Sequence, residues 1–191
     1  MTTAELVALT RGRLAGRERR MVVGGPLVKA AVLVPIVERD GPALVFTKRT
    51  DHVGSHRGQI SFPGGRVDPT DAGFLEAALR ETEEEIGLPG TTVEPLGALD
   101  DTETVATEFI ITPWVGLVRA PVAWKPDGHE IERVIEVPFA RLVEPAALRV
   151  EHRERAGVLR EMYLWDLGGG DVLWGATARI LKHYLDVLAG D

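Results

Sequence analysis

The chain has 191 residues, enough for one domain with terminal decorations, and its 45% hydrophobic and 27% charged residues are ordinary for a globular protein. A net charge of −7 argues against a general nucleic-acid binder held by a basic surface. The absence of cysteine excludes disulfides, Cys-type zinc sites and thiol nucleophiles, and no apolar run approaches the roughly 20 residues of a membrane span.

In chain order, residues 3–20 have the spacing of an amphipathic helix ending in the basic run Arg17, Arg19 and Arg20. Glu5 and the short length favour a packing or dimer-contact helix over a membrane-surface or targeting one. Gly24-Gly25-Pro26 breaks the chain, giving an N-terminal helical arm, 1–28, and a main domain, 29–191. Lys29–Val37 and Ala43–Lys48 are strand-like around Asp40-Gly41-Pro42, which predicts a hairpin. Arg49–Ser61 reads as a loop with at most one short strand, and Phe62-Pro63-Gly64-Gly65 as a turn whose glycines permit close ligand approach.

The spacing then predicts a helix over Leu75–Leu88, capped by Thr70 or Asp71 and stopped at Gly87. Leu75, Ala78, Leu79, Thr82 and Ile86 form its apolar stripe. Glu81, Glu84 and Glu85 fall together on another arc, because positions three and four apart are neighbours on a helix. Two carboxylates about 4 Å apart repel by roughly 4 kcal/mol at an effective dielectric of about 20, so stability alone does not gather them. Divalent cations reverse that sign. A solvated acidic face is the plainer reading, and it suits Glu76 and Glu83, which point away from the cluster.

Val93–Leu99, Phe109–Arg119 and Arg133–Val137 read as strands, with an acidic connection over Asp100–Glu108 and a loop over Pro121–Glu132. A short helical piece near Phe139–Leu142, a hairpin around Val150–Leu167 and a closing helix, Trp174–Leu188, complete the chain. Strands surround two or three helices without strict alternation. An α/β fold of mixed, α+β character follows, a mixed sheet packed between helices.

Gly64 to Leu88, GGRVDPTDAGFLEAALRETEEEIGL, resembles the Nudix box of the nucleoside-diphosphate-linked hydrolases. That box runs Gly, five residues, Glu, seven residues, Arg-Glu, an apolar residue, any residue, Glu-Glu, any residue, Gly, an apolar residue. Gly65, Arg80, Glu81, Glu84, Glu85, Gly87 and Leu88 match, and Thr82 stands in the apolar slot. Asp71 takes the place of the first Glu, with eight residues before Arg80. The preceding LVFTKRTDHVGSHRGQISFPGG (Leu44–Gly65) resembles the extension that marks the coenzyme A pyrophosphatase branch. Thr47, Arg49, Gly58, Phe62, Pro63, Gly64 and Gly65 are in register, and Gly54 sits where a second Arg belongs. The expanded box and the segment Trp174–Arg179 resemble that branch too.

The resemblance implies a Nudix-type α/β/α sandwich and a Mg²⁺- or Mn²⁺-dependent hydrolase that splits coenzyme A or its derivatives into 3′,5′-ADP and 4′-phosphopantetheine, or its acyl form. Hydrolysing a pyrophosphate means delivering water to phosphorus ringed by negative oxygens, and divalent ions neutralise that charge and acidify bound water. Glu81, Glu85 and Glu84 are the candidate metal ligands, with the Gly65 carbonyl nearby by resemblance; Glu81 and Glu84 are candidates for base. Arg80 is expected to orient a neighbouring carboxylate. Arg49, Arg57 and Gly64 are the candidate substrate contacts, ahead of Lys48, His52 and His56, each His having packing or exposure as its plainer explanation. Glu130 is weighed as an additional acid near the metals against an ordinary loop carboxylate. Trp165, Trp174, Tyr163 and Phe109 are weighed as adenine platforms against core aromatics.

Two other readings stay open: a Nudix hydrolase for ADP-ribose, NADH or a nucleoside triphosphate, and a silent nucleotide-sensing module. Expected partners are a small-molecule substrate, with no nucleic acid and no membrane, the chain being a monomer or homodimer. The first residues carry no apolar signal core and Ala189-Gly190-Asp191 is no peroxisomal address, so a cytoplasmic location is expected.

Overall fold

The computed structural model describes residues 1–23, 27–51, 58–104, 109–119, 122–155 and 157–190. Its central strand, β1 (Val28–Arg39), is buried over eight consecutive positions. Such a run needs cover on both faces, and β1 has it. Ala31, Leu33 and Val37 face one apolar cluster; Val32, Val34 and Ile36 face another. β2 (Gly41–Arg49) pairs antiparallel with β1 through a tight turn in which Arg39 faces Gly41.

Around this pair the sheet runs β3 (Ile60–Ser61), β2, β1, β7 (Phe109–Val118), β5 (Val93–Ala98). Three strands join it from the side: β4 (Gly64–Arg66) on β1, β6 (Thr102–Glu103) on β7 and β8 (Ile131–Pro138) on β2. β1 and β7 are parallel and the other described pairings antiparallel, which is the mixed sheet expected. Helix α2 (Phe74–Ile86) covers one face through Ala77, Ala78 and Ile86. On the other face lie α1 (Thr3–Ala15) and α4 (Gly175–Ala189), with the short α3 (Phe139–Leu142) nearby. The result is an α/β/α sandwich. A second sheet of three strands, β9 (Leu148–Arg155), β10 (Val158–Gly168) and β11 (Asp171–Leu173), adjoins it.

Several boundaries differ from the sequence reading, among them a short strand, β6, inside the expected acidic connection, and four of the differences have a reason in the contacts. α1 stops at Ala15 instead of running to residue 20, because Asp100 and Asp101 capture the basic run: Arg17 reaches Asp100 at 2.6 Å and Arg19 reaches Asp101 at 2.6 Å. The Val22 N–H also donates to Asp101, at 2.9 Å. The segment Gly64–Arg66 is a strand paired with Ala30–Val32, not only a turn. β8 starts at Ile131, two residues early, because Arg49 of β2 pairs with it. Finally, Gly73 takes the N-cap position of α2 with no side-chain cap, since Asp71 is engaged elsewhere. Gly87 ends α2 in the left-handed region, φ 69°, as its position in the sequence leads one to expect.

Thr3, Leu6, Thr10 and Leu14 line the buried side of α1, and the Thr10 hydroxyl meets that of Tyr184 at 2.7 Å. The helix is therefore packed onto its own domain. Leu6→Ala removes a side chain with no exposed surface and is expected to lower unfolding free energy by about 3 kcal/mol, read as a shift in denaturant midpoint. A change under about 0.5 kcal/mol would mean that α1 is not part of the cooperative core.

Candidate functional site

The buried face of α2, with Ala77, Ala78, Thr82 and Ile86, runs along the helix, and Glu81 and Glu85 lie on the side next to β4. Two glycines let that happen. A Cβ on Gly64, whose φ is +139°, would lie 2.6 Å from Val32 Cα; one on Gly65 would lie 2.5 Å from the Glu81 carboxyl carbon. Gly64 also supplies an N–H that donates to Glu85 Oε2 at 3.0 Å. The expected close approach at Gly64-Gly65 is thus between the protein's own backbone and its acidic helix.

Glu85 is buried, with 7% of its surface exposed, although it is ionisable. Burial pushes its carboxyl up to about 8; the Gly64 N–H opposes that, and Glu130 adds to it. Glu81 is half-buried and raised as well, first by burial, against the hydrogen bond from Arg80, with Glu84 and Glu130 adding repulsion. Glu83 and Glu84 are exposed, and Glu84 keeps 61% of its side chain in solvent while sitting 3.4 Å from Arg80. The helical arc that joins Glu81, Glu84 and Glu85 in sequence therefore splits: Glu81 and Glu85 face the cleft, and Glu84 stands on the outer flank. Thr82 fills its apolar slot by donating to the Ala78 carbonyl at 2.6 Å.

Arg80 is fixed by the residue that the box pattern left irregular. Asp71 accepts from Arg80 Nε at 2.9 Å and from Nη2 at 3.1 Å, with only 3% of its side chain exposed. Arg80 also donates to Glu81 Oε1 at 3.0 Å and to the Arg66 carbonyl at 3.1 Å. The guanidinium beside it holds Asp71 below the usual carboxylate range, and the paired carboxylates raise Arg80 further above its own. The extra residue before Arg80 is absorbed upstream of α2, so the spacing of Glu81 to Glu85 is untouched.

The opposite side of the acidic pair comes from β2 and the loop before β8. Arg49 ion-pairs with Glu130 and keeps its Nε buried and without a hydrogen-bond partner. Asp127 organises that loop: its Oδ1 accepts the N–H groups of His129, Glu130 and Ile131 at 3.1, 3.0 and 2.8 Å. The Asp127 N–H in turn donates to the Glu85 carbonyl at 3.1 Å. Sequence reasoning missed Asp127; an Asp followed by Gly128 in a loop is the turn signal that marks it. Arg57, His52, His56 and Gly54 lie outside the described residues. Lys48 pairs with Asp171 at 3.3 Å.

Arg49, Gly64, Gly65, Glu81, Glu85 and Glu130 line one region of a cleft of about 1470 Å³ that continues to β9, β10 and the start of α4. Tyr163, Phe109 and Trp174 border the cleft, whereas Trp165 is a core residue, donating to the Leu142 carbonyl at 3.0 Å. The donor set fits a divalent cation. Three carboxylates, Glu81, Glu85 and Glu130, repel one another, and the two arginines beside them, Arg49 on Glu130 and Arg80 shared by Asp71 and Glu81, do not match their charge. Among the described residues no three His, Asp or Glu side chains close into an all-protein cage. Mg²⁺ suits such an open set, since it keeps several waters and takes one or two carboxylates plus phosphate oxygens.

Comparisons with known proteins identify the family and the fold. The family model described as NUDIX domain matches residues 27–165. Proteins described as "Uncharacterized Nudix hydrolase NudL" from Salmonella paratyphi B and Salmonella newport are each 38% identical over 156 residues, covering 81% of this chain and 80% of theirs. A MutT/nudix family protein from Enterococcus faecalis superposes with a TM-score of 0.52 at 17% identity, over 99% of this chain and 70% of that one. The M. smegmatis Nudix hydrolase RenU gives 0.50 at 19%, over 60% and 72%. At those identities the structures speak to the fold alone.

Because Glu85 is raised in the fold above its ordinary 4.5, its contribution to stability is complete below that value and is lost as pH rises toward and through about 8. His183, lowered by burial, is already neutral there. In chelator, the thermal midpoint is expected to fall between about pH 7 and about pH 8.5, and the fall to be largely absent in Glu85→Gln. An equally steep decline in the variant would remove Glu85 as its cause.

Proposed function

The chain belongs to the Nudix hydrolase family, and on that premise we propose that it is a divalent-metal-dependent pyrophosphatase acting on coenzyme A or its derivatives. The observation that carries the metal site is Glu85, a carboxylate buried beside Glu81 with too little positive charge around it. Glu81 and Glu85 are the residues that would hold Mg²⁺ or Mn²⁺, with Glu130, the Gly65 carbonyl and, from the outer flank, Glu84 available to the same charge. A bound cation supplies neutralisation of the phosphate oxygens and a more acidic water.

The chain's own residues do the rest. Arg80, locked between Asp71 and the Arg66 carbonyl, holds the Glu81 carboxylate toward the cleft. Glu81 or Glu84 takes the proton of the attacking water, Glu81 being the one already in the cleft. Arg49 contributes an unpaired Nε to a pyrophosphate oxygen, and Gly64 is assigned to the same substrate from its position in the sequence. Arg57 is assigned to the same substrate from its position in the sequence. The products are 3′,5′-ADP and 4′-phosphopantetheine or its acyl form.

Support for coenzyme A comes from the segment Leu44–Gly65, whose Thr47, Arg49, Gly58 and Phe62-Pro63-Gly64-Gly65 match the branch pattern. The cleft is also larger than the about 300–1,000 Å³ typical of small-ligand sites, as an extended substrate requires. In this reading residues 29–191 are the catalytic domain and 1–28 its helical arm, and the enzyme works in the cytoplasm as a monomer or homodimer. Among the described residues no helix is long and apolar enough to cross a membrane.

The test is a panel of coenzyme A, ADP-ribose and NADH with excess Mg²⁺. The expected result is a kcat/KM for coenzyme A at least about tenfold above the others and loss of turnover in chelator. Glu85→Gln is expected to lower kcat by about 100-fold or more. A preference for ADP-ribose or NADH would move the substrate to another Nudix branch, and near-full turnover by Glu85→Gln would remove the metal assignment.

A further inference from the structure

A different wall of the cleft carries an excess of positive charge that the pyrophosphate chemistry does not use. Arg153 and Arg160 are direct partners across the β9–β10 hairpin and both line the cleft. Like charges so opposed weaken a hairpin. Arg179, in the second turn of α4, lines it as well and is half-buried; burial lowers its pKa, and Arg160 is the next cause. Its Nη2 donates to the Glu103 backbone carbonyl, a neutral acceptor, and the Glu103 carboxylate opposes the other two effects as the smallest of the three.

Nearby carboxylates neutralise this wall only in part, since Arg153 has half a share of one of them. Glu151 is shared by Arg149 at 3.1 Å and Arg153 at 3.3 Å. Glu161 accepts the Tyr163 hydroxyl at 2.7 Å and lies 3.8 Å from His152. Glu154 lines the cleft opposite Leu159, not opposite an arginine. Among the described residues Arg160 has no ion-pair partner. The start of α4 adds to this charge: Trp174 is its N-cap with no side-chain cap, and Ala176 and Thr177 line the cleft. First-turn N–H groups without a cap favour an anion.

We propose that Arg153, Arg160 and Arg179 form a second anion subsite, which takes a phosphomonoester on the ribose of the substrate, apart from the pyrophosphate at Glu81 and Glu85. This deepens the pyrophosphatase reading and rests on it. It makes the preferred substrate a nucleoside diphosphate derivative carrying a third phosphate, anchored at two walls. Two anchors fix an extended molecule in one direction and place its anhydride at the acidic pair. Arginine suits the task because its planar fork meets a phosphate through paired N–H groups.

The experiment titrates adenosine 3′,5′-bisphosphate and AMP, which differ by one phosphomonoester, into the full chain with Mg²⁺. The wild type is expected to bind the bisphosphate about tenfold or more tightly than AMP, and Arg153→Ala/Arg160→Ala to lose that margin while AMP affinity is unchanged. Both replaced side chains are exposed, and Arg179 stays in place, so an unchanged thermal midpoint is expected. Equal affinities in the wild type, including no measurable binding of either ligand, overturn the subsite, as does a margin that survives the double variant. Coenzyme A turnover is measured on the same wild-type preparation. Absent turnover with the margin intact rejects the coenzyme A reading and keeps the subsite.

Discussion

The carboxylate of Glu85 sits where a carboxylate is costly, behind β4 and under the loop before β8, with one backbone N–H as its hydrogen-bond donor. Much of the surrounding architecture reads as what is needed to keep it there. Gly64 and Gly65 leave out side chains that would collide with β1 and with Glu81. Pairing of β4 with Ala30–Val32 holds the Gly64 N–H in position, and Asp127 ties the adjoining loop to the last turn of α2. Arg49, whose charge acts on Glu85, is shared with Glu130 and does not restore neutrality. A fold under selection for stability alone would place a hydrophobe here. A buried acid with unmatched charge is the expected state of a site completed by a cation and a polyphosphate.

Orientation is handled separately from charge. Arg80 touches Asp71, Glu81 and the Arg66 carbonyl, so one side chain links the entry loop, β4 and the acidic helix. This division explains why an irregular box tolerates its extra residue. The insertion falls in the loop that delivers Asp71, where a shorter acid meets Arg80 from a longer connection. The helix that carries Glu81 and Glu85 keeps its register, because Ala77, Ala78 and Ile86 lock it onto the sheet.

Elements with strong local signals were legible in the sequence. The run of apolar residues in β1, the Gly87 stop of α2 and the turn at Gly41 each rest on local backbone chemistry, and the structure has them where those signals lie. Features fixed by tertiary partners were not. The end of α1 depends on Asp100 and Asp101, some 80 residues away, and the strand character of Gly64–Arg66 depends on β1. Helical spacing grouped Glu81, Glu84 and Glu85, and only the packing of α2 against β4 separates Glu84 from the cleft. Asp127 was hidden because its work is done through backbone N–H groups of its own loop. The arginines of β9, β10 and α4 were hidden because their convergence needs the hairpin and the closing helix together.

In the two proposals one cleft couples two demands: an acidic pair that would take a divalent cation, and a basic wall that would take a further phosphate. The first is the premise of the second. It is tested most directly by titrating Mg²⁺ into the protein near pH 7 in two buffers of different ionisation enthalpy, which counts protons released on binding. With Glu85 raised to about 8, cation binding is expected to expel close to one proton in the wild type and far less in Glu85→Gln. Binding without proton release, or the same release from the variant, would contradict the account.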